Sequence, residues 1–325
     1  MEQIRVARSF VAADALADLL EAEYELKAPV SCQLFSKLLR TQDNDHYLVD
    51  TGSGDKYVVR VYQSGKHLER QASDYHWELD WLLFLEENDL PVSYPLPRKN
   101  GEYLGSVLAP EGIRHYALFT LSPGEPMSVT NEEQLFVCGQ HMARIHKVSN
   151  NFKSNHQRQS MDLEYLVDKS IERVMNFWGD ARSADQEILL MSAAEAKDEI
   201  LELLSNESET ADSWGPIGGD FHHSSVYFDK RHNPSFFNFD LCGYGWRAYD
   251  IAAFLLNTEL LHHPEELTEA FFAGYYSERP LSPNEHAAIS PFMTIRRIWM
   301  TGLFTRSDGI VGHTFIAPAQ PPNKR

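Results

Sequence analysis

The side chains best suited to chemistry cluster in Ile217–Ala252, IGGDFHHSSVYFDKRHNPSFFNFDLCGYGWRAYDIA. Asp220 follows two glycines, which predicts a carboxylate on a tight loop. His222 and Ser225 come just after it, then a short hairpin, then Asn238 and Asp240, then Tyr249-Asp250 at the start of a helix. Phosphoryl transfer asks for parts of this kind: a carboxylate beside the attacking hydroxyl, and oxygen ligands that hold Mg²⁺ on the phosphates. Each residue also has a plainer reading. Asp220 either orients an acceptor hydroxyl as a general base or braces its own loop. His222 either touches a phosphate or steadies the same loop. The pairs His222-His223 and His262-His263 lack zinc-ligand spacing to further partners.

Several elements must position these groups. Strands are expected at Cys32–Leu39, Asp45–Thr51, Lys56–Gln63, Tyr103–Leu108 and Arg114–Leu121, from runs rich in Val, Tyr and Leu bounded by turn residues. Gly52-Ser53-Gly54-Asp55 reads as a hairpin turn, with a phosphate cradle as the other possibility. A helix over Glu69–Glu87 carries Trp77, Trp81, Leu82 and Leu85 on its apolar stripe. Beyond Ser122 the pattern turns helical, with helices at Asn131–Lys147, Asp162–Trp178, Ala184–Ser205, Arg247–Leu256, Glu265–Tyr276 and Pro283–Leu303. Short β-like pieces, Ser225–Phe228 and Ser235–Asp240, lie among them. This order predicts an α+β protein of two lobes, residues 1–121 and 122–325, with a polar, proline-rich tail from about residue 317.

Bulk composition narrows the classes. The chain has 325 residues, enough for a large core, and 43% are hydrophobic. A net charge of −18 at pH 7, with no basic stripe, argues against a nucleic-acid groove. Cys32, Cys138 and Cys242 are too few and too scattered for a disulfide framework or a zinc site, so the simplest setting is the cytoplasm. No apolar run reaches the roughly 18 residues that span a bilayer, so no membrane partner is expected. The N-terminal stretch has acidic residues through its apolar part. It reads as an amphipathic helix capped near Ser9, unlike a signal peptide.

The ordered run Gly219, Asp220, His222, Phe239, Asp240, Gly243, Gly245, Arg247, Ala248, Tyr249, Asp250 and Ala252 resembles the catalytic loop of the aminoglycoside phosphotransferase, choline kinase and type II homoserine kinase superfamily. Lys56–Tyr62, Glu78, His115–Pro126 and Gly139–Lys147 are similar to further parts of that family. The likeness covers about residues 10 to 305. It implies a two-lobed protein-kinase-like fold and an ATP-dependent kinase, with Mg²⁺, acting on a hydroxyl of a small molecule such as an amino alcohol, amino acid, sugar or antibiotic. Asp220 and His222 would then be catalytic. Arg60 would hold the nucleotide phosphates while paired with Glu78, Asn44 and Asp43 would cover them, and the strand end at Phe119 and Leu121 would receive adenine. Ser225, Asn238 and Asp240 would hold the metal, and Asp250 would brace the loop.

Three positions depart from the family's pattern: Gly218 where histidine is usual, Ser225 where asparagine is usual, and Asn238 where the metal-binding aspartate is usual. Neither serine nor asparagine brings charge to a cation. Asp240, two residues beyond Asn238, would share its face if the segment were a strand. Two readings therefore stand: a phosphotransferase, or a pseudokinase that binds a ligand or protein without phosphoryl transfer.

Overall fold

The computed structural model describes residue 6 and residues 8–35, 44–63, 70–179, 184–204 and 212–311, with 306–311 as backbone alone. The chain divides into two compact units. One is Met1–Glu86 with Val92–Ser122 and Ser154–Gln157; the other is Glu87–Pro91, Pro123–Lys153 and Arg158–Arg325. A single division after residue 121 leaves the segment Ser154–Gln157 on the other side. The expected tail from residue 317, and Asp43, lie outside the described residues.

The first unit is a five-stranded antiparallel sheet with two helices. In chain order it contains α1 (Ala13–Glu23), β1 (Ser31–Leu34), β2 (Asp45–Asp50), β3 (Lys56–Val61), α2 (Ala72–Glu87), β4 (Gly105–Ala109) and β5 (Gly112–Thr120). The strand order is β1-β2-β3-β5-β4. Alternation drives this arrangement: Val49, Val59, Val61, Tyr116 and Leu118 all point to one face, where Leu16 and Leu20 of α1, and Tyr24 just after it, cover them. Gly52–Asp55 forms a hairpin turn, in which Gly54 donates to the Thr51 carbonyl at 2.9 Å with φ near +86°. The registered pairing of Asp50 with Lys56 confirms the turn.

Ser9 does not cap α1. The helix begins after Ala12, which makes no side-chain cap bond. Ser9 instead donates its N–H and its hydroxyl to the Glu111 carboxylate, at 3.0 and 2.7 Å, and its carbonyl accepts from Arg114. A carboxylate brought in by the distant β4–β5 hairpin outcompetes the local cap.

The second unit is mainly helical. It holds β6 (Glu125–Pro126), α3 (Glu132–Ser149), a π-helical turn (Glu164–Asp168), α4 (Lys169–Trp178) and α5 (Ala184–Leu204). After these come β7 (Trp214–Ile217), β8 (Val226–Phe228), β9 (Pro234–Phe236) and β10 (Gly243–Trp246). The chain continues into α6 (Arg247–Asn257), α7 (Glu265–Tyr276), α8 (Pro283–Ala287) and α9 (Ile289–Val311). β7 pairs antiparallel with β10, and β6, β8 and β9 form a second small sheet. Among the described residues no helix is long and apolar enough to cross a membrane.

In the second unit, three expected elements change in kind. The stretch expected as one helix from Asp162 opens with the π turn, in which Tyr165 donates its N–H to the Asp162 carboxylate at 2.8 Å. The helix expected over Pro283–Leu303 is two: Pro283–Ala287, opened by a capping box of Ser282 and Glu285, and Ile289–Val311, whose first turn holds Pro291, a residue with no N–H to continue the helix before it. The strand expected over Ser235–Asp240 stops at Phe236, and Asn238 adopts a left-handed backbone with φ near +67°.

α3 and α7 approach closely because each contributes a glycine to the crossing. A methyl group at Gly274 would lie 1.9 Å from the Phe136 carbonyl oxygen, and one at Gly139 would lie 2.1 Å from that of Phe271. Gly274→Ala is therefore expected to push the helices apart and lower stability by about 1–3 kcal/mol. Urea unfolding checks this, and an unchanged midpoint would show that the helices can move apart without loss.

Candidate functional site

The loop that follows β7 is anchored through Asp250, in the first turn of α6. The Asp250 carboxylate is fully buried and accepts the consecutive backbone N–H groups of Gly218 and Gly219, both at 2.7 Å. Gly219 has φ near +74°, and a Cβ there would lie 2.4 Å from the Leu241 carbonyl oxygen, so the position requires glycine. At Gly218 the ring of Phe221 already fills the space, 2.6 Å from where a Cβ would stand. The histidine that the family pattern carries would have to displace that ring.

A buried chain supports Asp250 from behind. His146 on α3 sits with Nε2 3.1 Å from the Asp250 carboxylate and Nδ1 2.8 Å from the Tyr275 hydroxyl. Arg279 donates to that hydroxyl at 3.2 Å and pairs with Glu285 at 2.5 Å. Burial raises Asp250 to about 7, against the pull of the two backbone N–H groups and of Arg247 and Arg296. Burial also holds His146 well below the usual imidazole value, assisted by Arg247 and Arg279. Arg247 spans the region by donating to the Pro216 carbonyl and, at 2.8 Å, to Asn150.

Asp220 projects from the anchored loop and is braced on one side only. Its Oδ1 accepts from Arg296 on α9 and from Asn257 on α6, the latter at 3.1 Å. Its Oδ2 is 4.0 Å from His222 Nε2, beyond hydrogen-bond reach. Arg296 is itself buried, and it also donates to the Gly219 carbonyl at 2.9 Å and to the Tyr249 hydroxyl at 3.2 Å. His222 is turned inward. Its Nδ1 lies 2.7 Å from the Ser224 hydroxyl and its Nε2 2.7 Å from that of Ser225. Burial lowers its pKa, against the raising effect of Asp220.

The three expected metal ligands are less closely organised. Ser225 is buried, and its hydroxyl is engaged by His222. Because β9 ends at Phe236, strand alternation does not place Asn238 and Asp240 on one face; Asp240 lies in a turn whose carbonyls, at Asp240 and Cys242, accept from Arg158. Among the described residues no three His, Cys, Asp or Glu side chains gather in a way that would hold a metal ion.

In the first unit, Arg60 on β3 and Glu78 on α2 form a buried ion pair at 2.5 Å. Arg60 also donates to His46 Nε2 at 3.2 Å, and its guanidinium lies 4.7 Å from the centre of the Phe119 ring. Phe119 is thus a core-facing side chain beneath the arginine. Thr120, next along, donates its N–H to Tyr94 and accepts the Ser93 hydroxyl, so Leu121 is the first position past the pairing of β5. Asn44 is buried and accepts the Gln63 N–H at 3.2 Å, which makes it a brace between β2 and the end of β3.

Sequence reasoning singles out neither Asn257 nor Tyr275; it places Arg296, by resemblance, on a last helix that borders the acceptor pocket, without its contact to Asp220. They come from helices far along the chain, and no local spacing marks them.

A β-rich unit with a buried strand-arginine to helix-glutamate pair, and a helical unit with a carboxylate on an anchored loop, define the protein-kinase-like class. Residues 35–287 match the sequence model of the phosphotransferase enzyme family (APH), and the chain belongs to that family. A protein of Synechocystis is 31% identical over 292 residues, 90% of this chain and 77% of its own length. A homoserine kinase of Phenylobacterium zucineum is 25% identical, over 85% of this chain and 79% of its own. Among solved structures, a microcompartment-associated aminopropanol kinase has a TM-score of 0.74 at 22% identity, covering 93% of this chain and 91% of that one. The amicoumacin kinase hAmiN, in complex with AMP-PNP, Ca²⁺ and Ami, has a TM-score of 0.72 at 19% identity, covering 90% and 86%.

The anchor makes a pH prediction. Asp250, raised to about 7 from 3.8, makes the folded state the better proton acceptor as pH falls through that window, which stabilises it. His146, lowered by burial, makes the unfolded state the better acceptor as pH falls below the imidazole range, which destabilises the fold. The two effects oppose. His146→Gln should therefore gain stability relative to the parent as pH falls from about 7 to about 4. Urea midpoints across that range test it; parallel pH curves for the two proteins would refute the assignment.

Proposed function

We propose that this chain transfers the γ-phosphoryl group of ATP to a hydroxyl of a small molecule. The observation that carries the reading is the state of Asp220. One of its oxygens is fixed by Arg296 and Asn257, while Oδ2 has no hydrogen-bond partner among the described residues. That is the requirement for a carboxylate that must orient an incoming hydroxyl and take up its proton. The family match supports the reaction class. The aminopropanol kinase, the homoserine kinase and the amicoumacin kinase support a small-molecule acceptor.

In this reading Arg60, held by Glu78, offers a guanidinium to the nucleotide phosphates, and the backbone past β5 at Leu121 receives the adenine. His222, with a depressed pKa and two serine partners, steadies the loop and stays neutral near pH 7. Mg²⁺ takes oxygen ligands, so by side-chain chemistry Asp240 and Asn238 would be its protein donors, and it would neutralise charge on the phosphates. Only Asp240 brings a negative charge, and Ser225 is already committed to His222.

A second reading rests on that last observation. A site with one anionic ligand suits a protein that binds a nucleotide or other ligand without transferring phosphate. Calorimetry of nucleotide binding with Mg²⁺ and with chelator separates the two. For a kinase, Mg²⁺ is expected to strengthen binding, Asp240→Asn to abolish that effect and Asn238→Asp to enhance it. Indifference to Mg²⁺ in all three proteins would favour the binder.

For the transferase, Asp220→Asn should lower kcat by on the order of 10²–10⁴ with ATP affinity nearly unchanged, read as ADP release and nucleotide binding in parallel. Equal turnover in variant and parent would show that Asp220 only braces its loop.

A further inference from the structure

The loop after β7 also gathers a serine, an imidazole and their supports in a way that the reaction proposed above leaves unused. Ser224 sits in a short helical turn, His223–Ser225, closed by the Ser225 N–H donating to the His222 carbonyl at 2.9 Å. The Phe237 N–H donates to the Ser225 carbonyl at 3.0 Å and ties the turn to the end of the β8–β9 hairpin. The Ser224 hydroxyl lies 2.7 Å from His222 Nδ1. The other ring nitrogen, Nε2, lies 2.7 Å from the Ser225 hydroxyl and 4.0 Å from Asp220 Oδ2. These contacts are met together when Nε2–H donates to Ser225, which leaves the Nδ1 lone pair to accept from Ser224.

Ser224 is exposed and Ser225 is buried, so Ser224 is the hydroxyl of the two that a reagent can reach. A serine is a weak nucleophile until a base takes its proton, and the arrangement that activates it is a nucleophile held on a base that a third group orients. Ser224, His222 and Ser225 meet that description. Asp220, 4.0 Å from Nε2, favours the positive charge the ring carries once the proton has moved, against the effect of burial. The first unit supplies a contrast. Ser106 on β4 is also exposed, and its hydroxyl lies 2.8 Å from His115 Nδ1 on β5. The charged side chain that acts on His115 is His76 and not a carboxylate, which disfavours an imidazolium there. The serine–histidine contact is thus alike at the two places, and the support behind the ring differs.

We propose that Ser224 is a self-phosphorylation site, which takes the γ-phosphoryl group of ATP within its own chain with His222 as the base. The proposal rests on the phosphotransferase reading for its donor, while the nucleophilic character of Ser224 stands apart from it. In the step, Ser224 Oγ bonds to the γ-phosphorus and the bond from that phosphorus to the β,γ-bridging oxygen breaks. ADP leaves with that electron pair, and the hydroxyl proton passes to His222 Nδ1. The product is a phosphoserine four residues beyond Asp220 on the same loop.

Two measurements on the full chain test this. The first is labelling with a fluorophosphonate in the absence of nucleotide, mapped by peptide mass spectrometry. Ser224 is expected to carry the adduct and Ser106 to stay free of it. Ser224→Ala should abolish the labelling, and His222→Gln should slow it by on the order of 10² with the urea midpoint unchanged. The Ser106 comparison is made within the parent protein, so it holds even where a variant fails to fold. The second is incubation with Mg²⁺ and ATP radiolabelled at the γ-phosphate. Phosphate is expected on Ser224, at a rate per chain that does not change with protein concentration. Absence of the adduct or of the phosphate from Ser224, equal labelling of Ser106, a labelling rate that survives His222→Gln, or transfer that speeds up with protein concentration overturns the proposal. ADP release with ethanolamine, L-homoserine and 3-aminopropan-1-ol is read separately. Phosphate on Ser224 without turnover of these compounds keeps the proposal and counts against the small-molecule acceptor. Turnover with Ser224 unmodified does the reverse.

Discussion

The second unit depends on one carboxylate that meets two successive peptide N–H groups. Asp250 takes the N–H groups of Gly218 and Gly219 from the first turn of α6, where an acidic side chain also suits the helix dipole. Arg296 grips the same glycine from the other side, through the Gly219 carbonyl. With both polar groups of this residue fixed, the next residue, Asp220, has little freedom of direction. The left-handed backbone at Gly219 and its close approach to Leu241 allow no side chain there. Under the proposed function, an acidic group fixed before a substrate arrives would need no further orientation at reaction.

Charge is distributed in a consistent way around this anchor. Each described arginine that serves the proposed chemistry is buried and tied to a carboxylate: Arg60 to Glu78 and Arg296 to Asp220. In both pairs the carboxylate fixes the fork and the arginine retains further donors. For Arg60, Nε turns to His46 and the flat face lies on Phe119. Truncating one partner of such a pair would leave a buried charge uncompensated, so these ions matter for the site's shape as much as for its field.

Much of this was legible in the sequence because local order carried it. Val49, Val59 and Val61 alternate on their strands, so the sheet and its buried face could be read directly. Asp220, Asp250 and the Arg60–Glu78 pair were legible through the order of the motif residues. Helix α1 was found but its start was not, because Glu111, which engages Ser9, is about a hundred positions away. The strand through Asp240 was overcalled for a related reason. Ser235 and Phe237 read as β-like, yet Asn238 takes a left-handed backbone that asparagine tolerates, and the chain turns there. The brace on Asp220 was invisible for a third reason: Arg296 and Asn257 meet it only once α6 and α9 are folded.

The departures from the family's pattern then have a local physical meaning. At 218 a side chain would meet Phe221, whose ring packs edge-on against Phe236 and Phe239, so the aromatic cluster occupies the room that histidine would need. At 225 a serine hydroxyl is short enough to bond the inward-turned ring of His222, and a longer amide there would compete for that position. At 238 asparagine suits the left-handed backbone, which aspartate also tolerates, so backbone geometry does not explain the loss of charge. Two of the three departures are therefore tied to packing around the loop, and one is electrostatic alone. Under the proposed function, the electrostatic one, Asn238, is the position that would separate a transferring enzyme from a binder, because it would alter the cation's surroundings while leaving the Asp220 anchor intact.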